Sequence, residues 1–373
     1  PVANISFALN YYFGKEDPFG YHLVNLIIHL LTGLCLFFLI RRTIILADSL
    51  KHQAIAPAGM PTDCMAFLAV LIWLIHPVQT NAVTYMVQRM TSLTALFYIL
   101  SLLFYVKGRL AMQQNRWRRP AGYLTGCVLA GLCAVFTKQN AGMLPVFILL
   151  YEWFFFQDLR PVRSKRLIFG GILAVFVFGA IGYIYLGGHP FDRILSAYER
   201  REFTLPQRVL TEWRVIAYYA GLILFPQAGR LLLDHSYPLS DALITPLTTL
   251  TSAAMILAIL ALALYSAKRY RLISFCLIWF LGNLVIESSI IGIEIIYEHR
   301  LYLPSMMLSL MAVWLLSRWM QKKWRVLPVV VVVALVFSFW TCQRNQIWAS
   351  DVTFWKDVAK KSPQKSRPLQ NLA

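Results

Sequence analysis

Apolar residues run in long blocks along this chain, broken by short polar connections. Ten blocks can be read, at 22–40, 64–76, 91–106, 120–137, 139–157, 167–186, 245–267, 272–290, 301–319 and 326–342. Nearly all approach the roughly 20 residues that carry a helix across a hydrocarbon core. The block at 64–76 is short for a span, so it either tilts little or joins a re-entrant piece. The pattern predicts an all-α polytopic membrane protein, a helical bundle with about ten transmembrane helices.

Two polar stretches carry helical periodicity of another kind. Within 187–244, Leu205, Val209, Trp213, Ile216, Ala217, Ala220 and Leu224 recur on one face, with Gln207, Arg208, Thr211, Glu212 and Arg214 between them. That pattern predicts an amphipathic helix lying in the membrane interface, its polar face toward water. In the tail, Trp348, Val352, Trp355 and Val358 share a helix face, Ser362-Pro363 stops it, and a second helix is expected near Leu369. The domains expected are therefore a membrane unit, 1–342, and the start of a helical-repeat region, 343–373, since one such hairpin cannot bury its face alone.

Charge orients the bundle. Basic residues crowd alternate loops: Arg41, Arg42 and Lys51; Lys107, Arg109, Arg116, Arg118 and Arg119; Arg160, Arg163, Lys165 and Arg166; Lys268, Arg269 and Arg271; Arg318, Lys322, Lys323 and Arg325. The positive-inside rule places these loops in the cytoplasm and the other set outside. The net charge of +18 is thus a membrane signature and does not call for nucleic acid. Composition agrees: 58% of residues are hydrophobic and 14% are charged, with a mean hydropathy of +0.60. Soluble domains carry about 25% charged residues. Six cysteines lie in or beside apolar blocks without CxxC or Cys/His spacing, and read as small buried hydrophobes, so no metal site is expected. Pro1-Val2-Ala3-Asn4 has no signal-peptide character, and the chain reads as part of something longer.

Five polar clusters then fall on the outer side: FGKEDPFGYHLVNLIIH (13–29), HPVQTNAVTYMVQRMTSLTA (76–95), TKQN (137–140), LLLDHSYPLS (231–240) and ESSIIGIEIIYEHRLYLPS (287–305). Ionisable groups at membrane depth line a wet cavity or the bundle interior. A shared cavity would collect the cations Arg89, Lys138 and Arg300, the imidazoles His76, His235 and His299, and the carboxylates Asp234, Glu287 and Glu298. Guanidinium suits phosphate oxygens, and a carboxylate suits a general base for a hydroxyl. The plainer readings compete. Arg89 and Arg300 could pair with Glu287 or Glu298 as scaffolding, His22 and His29 could serve interhelical hydrogen bonds, and Lys138 could be a turn residue. Trp73, Tyr85, Tyr151, Trp153 and Trp279 read as interface anchors. On residues alone, transporter and enzyme both stand; the polar groups sit at span ends and no internal repeat is visible, which favours chemistry at the outer surface.

The order of the stretches PVANISFALNYYFG, PFGYHLVNLIIH, HPVQTNAVTYMVQRMTSL, TKQNAGMLP, RVIAYYAGLILFP, LLLDHSYPLS and EHRLYLPS resembles the membrane domain of the transmembrane and tetratricopeptide-repeat O-mannosyltransferase family and its bacterial relatives. The tail DVAKKSPQKSRPLQNLA looks like the opening of a first tetratricopeptide repeat. The resemblance implies a glycosyltransferase of the C fold (GT-C). It would move a sugar from a polyprenyl-phosphate donor to a Ser or Thr hydroxyl of a protein acceptor, with inversion, and without a divalent metal. It implies lipid-phosphate contacts from Arg89, Lys138, His299 and Arg300, with Glu298 and His299 positioning Arg300 or the acceptor. His235, Glu287 and Tyr302 complete the cavity. The acidic loop that carries the family's base is expected upstream of residue 1, leaving Glu298, Asp234 and His76 as candidates here. Asn81 and Gln139 stand where relatives often have acids, and Ser236 where an Asp is common. The expected place is a bacterial inner membrane with a periplasmic active face, or alternatively the endoplasmic reticulum membrane, with acceptors recruited by the repeats. Other readings are a lipid A or pilin glycan transferase, a flippase for polyprenyl-linked sugar, and an inert scaffold displaying repeats.

Overall fold

The computed structural model describes residues 1–49, 60–113, 118–157, 190–320 and 322–372. Among these residues the structure is helical, with one isolated bridge between Ala242 and Thr245. In chain order the helices are α1 (Val2–Gly14), α2 (Pro18–Ser49), α3 (Thr62–Leu74), α4 (Gln79–Thr84), α5 (Arg89–Gln113), α6 (Arg118–Val135) and α7 (Leu144–Tyr151). Then follow α8 (Pro190–Ser196), α9 (Leu205–Leu224), α10 (Leu247–Ser266), α11 (Arg271–Leu284), α12 (Ser305–Met320), α13 (Lys323–Ile347), α14 (Asp351–Lys361) and α15 (Ser366–Gln370).

Four described helices are long and apolar enough to cross a bilayer: α2, α5 with the turn before it, α10 and α13. Helices α3, α6, α11 and α12 are apolar but shorter. The count of about ten spans is therefore not borne out. The block at 139–157 divides into a 3₁₀ turn (Gln139–Met143), the eight-residue α7 and a π-helical turn (Glu152–Phe156). The block at 167–186 lies outside the described residues. Helix α11 stops at Leu284 and α12 starts only at Ser305, because the polar run from Glu287 to Arg300 leaves the helical path and folds over the bundle end.

The core gathers Trp73, Tyr98, Phe147, Tyr151, Phe275 and Trp279. Three of the five expected interface anchors are thus buried; Trp153 stays 40% exposed and Tyr85 lies against Trp348. The buried indoles act on the backbone: Trp73 Nε1 donates to the Tyr302 carbonyl at 3.2 Å and Trp279 Nε1 to that of Leu303 at 2.9 Å. Both fix the chain just after Glu298-His299-Arg300. Close helix approach needs small residues. A Cβ on Gly126 of α6 would sit 3.1 Å from the Phe104 ring of α5, and one on Gly282 of α11 2.8 Å from Phe147 of α7.

The described basic loops share one end of the bundle. There Arg109 of α5 pairs with Glu152 beyond α7 at 2.6 Å, Arg41 of α2 pairs with Asp63 of α3 at 2.5 Å, and Arg271 donates to the Gln157 carbonyl at 2.9 Å. The polar clusters contact one another instead: Arg89 with Asn25, Lys138 with Glu287, His299 with Asn81 and His235 with Glu298.

Helix α9 corrects one expectation. A reciprocal cap starts it: Thr204 Oγ1 accepts from Gln207 N, and Gln207 Oε1 accepts from Thr204 N. Near its start Arg208 bonds the 287–294 loop, and near its end the Ile223 carbonyl accepts from His76. Both ends of the helix thus contact the polar clusters. Its buried face is mixed, however, with polar residues beside Val215, Tyr219 and Leu222. Arg208, Thr211 and Glu212 are buried, whereas Val209 is 36% and Leu224 69% exposed. Beside a bilayer the apolar stripe can face outward, and the polar stripe finds its partners in the protein.

The tail register also shifts. Ser350 caps α14, and Phe354 and Val358 are its buried residues, while Val352 is exposed. They pack on Leu232 and Leu233 of the 231–240 loop. The second tail helix begins at Ser366.

Candidate active site

A polar cavity of about 310 Å³ opens among these clusters. Three chain segments wall it: Arg200–Phe203 before α9, the Asp234–Tyr237 stretch, and Glu294–Tyr297, with Lys365 of the tail closing a fourth side. Two expected residues line it directly, Asp234 and His235. The Asp234 carboxylate remains 16% exposed and lies 4.0 Å from Lys365 Nζ. His235 sits edge-on to Tyr218 of α9, centroids 5.8 Å apart, with Nε2 3.4 Å from Glu298 Oε1.

Glu298 is buried behind that wall. Its Oε1 also accepts from the Leu232 backbone N–H, so this carboxylate anchors the loop that presents Asp234 and His235. The pairing joins segments more than 60 residues apart and brings together two motifs that the sequence could only name separately.

The expected phosphate ligands lie elsewhere, engaged with the protein. Arg89 is fully buried; it donates to Asn25 Oδ1 (2.7 Å), Asn10 Oδ1 (2.5 Å) and the carbonyls of Tyr21 (3.0 Å) and Ser6 (3.2 Å). Its role here is to tie α1 to α2. Arg300 donates to the Ile295 carbonyl at 2.7 Å and to that of Glu294, beneath the cavity. Lys138 Nζ pairs with Glu287 Oε1 at 2.7 Å and donates to Thr91 Oγ1 at 3.2 Å. Burial raises the Glu287 carboxyl, but Lys138 and Arg300 outweigh that and hold it below the usual range. His299 stacks on Tyr297 at 5.0 Å, with Nδ1 3.4 Å from Asn81 Oδ1. Burial, with Lys138 and Arg300 nearby, pushes His299 well below its ordinary value, so it is neutral at pH 7. Tyr302 is in the core, its hydroxyl 2.7 Å from His29 Nδ1.

His76 is buried where α3 gives way to α4. Nδ1 accepts from Val78 N at 3.3 Å, which leaves Nε2–H to donate to the Ile223 carbonyl at 2.9 Å. Burial pulls its pKa from 6.5 down to about 4, the bond to Ile223 opposing. A depressed folded value gives stability that is fully present above pH 6.5 and lost as the pH falls toward 4. His76→Gln keeps an N–H for Ile223 and removes the titration. Its thermal midpoint in detergent should fall less than the wild type's over that window, by the equivalent of about 3 kcal/mol. Parallel profiles would rule His76 out as the titrating group.

Sequence reasoning passed over the cations that do reach the cavity. Arg200 and Lys365 line it, and Arg201 pairs with Glu294 at 2.5 Å on its wall. The signal was present in YERREF (198–203), a dense charge run in an otherwise apolar chain. Lys365 had none, since only folding brings the tail to the loop. Behind the wall, Arg208 donates to the carbonyls of Glu287 (2.8 Å), Ser289 (3.0 Å), Ile293 (2.5 Å) and Glu294 (3.4 Å), and pairs with Glu212 at 2.9 Å.

A second, apolar groove of about 520 Å³ is lined by His76 and by residues of α3, α9, α10, α11, α12 and α13, with Ser305, Leu308, Leu315 and Val333 among them. Among the described residues no group of acids, histidines and cysteines could hold a metal ion.

No protein-family model matches the chain, and no solved structure does. Curated relatives do. Protein O-mannosyl-transferase Tmtc3 of Drosophila melanogaster is 30% identical over 175 residues, 44% of this chain and 18% of that protein. Protein O-mannosyl-transferase tmtc2 of Xenopus laevis is 28% identical over 197 residues, 50% of this chain and 20% of that one. The human TMTC2 protein is 30% identical over 172 residues, 44% and 18%. The chain spans about a fifth of the length of these relatives. The resemblance drawn from the motifs is shown: the curated homologues are all transmembrane and tetratricopeptide-repeat O-mannosyltransferases. Together with the apolar helices they mark an integral membrane protein.

Proposed function

We propose that the chain forms membrane and adjoining parts of a C-fold glycosyltransferase that moves a mannose-like sugar from a polyprenyl-phosphate donor to a protein hydroxyl. The reaction belongs to the outer side, at the end opposite the basic loops. The observation that carries this reading is the pairing of a polar cavity, walled by Asp234, His235 and Lys365, with an apolar groove, the two joined through α9. Tyr218 of α9 packs on His235, which lines the cavity, and Ile223 and Leu224 of its last turn line the groove. A sugar phosphate suits the first and a polyisoprenoid chain the second.

In this reading the phosphate contacts pass from Arg89, Lys138, His299 and Arg300 to Arg200 and Lys365, which have reach into the cavity. Among Asp234, Glu298 and His76, Asp234 is the one whose carboxylate is free to meet an acceptor. It takes the proton of the attacking hydroxyl as the new bond to the anomeric carbon forms. The bond from that carbon to the phosphate oxygen breaks, the electron pair leaving with polyprenyl phosphate, and the anomeric configuration inverts. No metal is required for this charge flow. The acceptor reaches the cavity from the side of the tail helices α14 and α15. The place expected is a bacterial inner membrane with its periplasmic face, the endoplasmic reticulum being the alternative. The test is transfer of radiolabelled sugar from a polyprenyl-phosphate donor to a Ser/Thr acceptor by purified full-length protein; absence of transfer overturns the reading.

A further inference from the structure

The tail was expected to be a separate module, yet its contacts converge on one loop. Ser362, buried at the end of α14, donates from Oγ to the Asp234 carbonyl at 2.8 Å and accepts from the Ser236 N–H at 3.2 Å. It thus brackets His235 from both sides along the backbone. Lys361 Nζ donates to the carbonyls of Ala228 (3.0 Å) and Leu231 (3.2 Å), where the same loop begins. Asp357 holds that ammonium at 2.8 Å and also accepts from Arg344 of α13 at 3.1 Å, so α14 is locked to the bundle by an ion-pair chain. Phe354 and Val358 pack under the loop on Leu232 and Leu233. Lys365, three residues beyond Ser362, lines the cavity itself.

Such a loop has little order of its own. Residues 231–240 form no helix or strand, and the bundle holds the Leu232–Ser236 segment through Glu298, on Leu232 N and His235, through Tyr218, on His235, and through Tyr85 and Ile347, which pack with the Leu232–Leu233 cluster. The hairpin adds the Ser362 hydrogen bonds on either side of His235 and the packing of Phe354 and Val358. We propose that the α14–α15 hairpin is a clamp on the 231–240 loop, and that Ser362 is a positioning residue that sets Asp234 and His235 at the cavity. The tail helices are then a wall of the site, and an acceptor docked on them has a direct route to Asp234. The positioning role rests on the reading of Asp234 given above; the clamp itself does not.

The experiment compares full-length wild type with Ser362→Ala, Ser362→Thr and Lys361→Met. Backbone amide exchange of peptides covering 232–237 reports the clamp without reference to activity. Exchange there should rise on the order of tenfold in Ser362→Ala and in Lys361→Met, while peptides covering 98–106 in the core stay unchanged. Ser362→Thr, which keeps the hydroxyl, should return exchange toward wild type. In transfer assays kcat should fall on the order of tenfold with the donor KM unchanged, since a displaced catalytic group affects rate before binding. Unchanged exchange in both variants overturns the clamp. Raised exchange with unchanged kcat overturns the positioning role. If the wild type transfers no sugar, the transferase reading fails, and exchange alone decides the clamp.

Discussion

Asp234→Asn is expected to reduce sugar transfer by about 10² to 10⁴-fold, the range for loss of a general base, without unfolding the protein. The asymmetry of this residue makes the test clean. Its backbone carbonyl is held by Ser362, and its carboxylate faces the cavity with Lys365 4.0 Å away. An amide of the same shape keeps the backbone in place and removes the proton acceptor. Initial rates with a radiolabelled donor, beside a thermal unfolding profile in detergent, separate chemistry from folding. Glu298→Gln provides the contrast. That carboxylate holds Leu232 N and His235 and is buried, so its loss should lower the unfolding midpoint as well as the rate. An Asp234→Asn protein as active as wild type removes Asp234 from the reaction.

Arg208→Met should cost about 3–5 kcal/mol, the scale for breaking a buried ion pair from one side. The guanidinium is wholly buried and serves four carbonyls of the 287–294 loop as well as Glu212. Its removal takes this donor from the Glu287, Ser289 and Ile293 carbonyls, leaves the Glu294 carbonyl to Arg300 alone, and strips Glu212 of its ion-pair partner. Burial already raises the Glu212 carboxyl to about 7 against the pull of Arg208 and Arg300. Adding Glu212→Leu to Arg208→Met should recover part of the lost stability, because it removes the stranded carboxyl. The shift of the unfolding midpoint measures both steps. A single variant as stable as wild type would show that the loop finds other donors, and that Arg208 does not organise it.

Much of the outline was legible because it rests on local pattern. The helical content, the apolar flank and the segregation of basic loops all follow from residues close in sequence. Glu298, Asp234 and His235 could be named as candidates, since ionisable groups are conspicuous among apolar blocks. Their grouping could not be read, because the contact between His235 and Glu298 is long-range. The conspicuous cations Arg89 and Arg300 drew attention by charge alone, whereas their engagement with carbonyls is invisible in a string of letters. Helix α9 shows the same limit: its periodicity was correct, but the choice of inward face depends on whether water or lipid lies outside. The span count failed for a related reason. Hydropathy does not register where buried polar contacts pull a helix end apart, as they do between α11 and α12.

By itself the sequence determined an all-helical membrane protein with polar clusters between its apolar blocks, because hydropathy and charge act on each segment wherever it is packed. Only the tertiary structure decided which charged groups are available. A guanidinium filled with carbonyls, such as Arg89 or Arg208, has no capacity left for a ligand, while Arg200 and Lys365 line the cavity. Availability is what remains after every neighbour has been satisfied, and those neighbours are assembled only by folding.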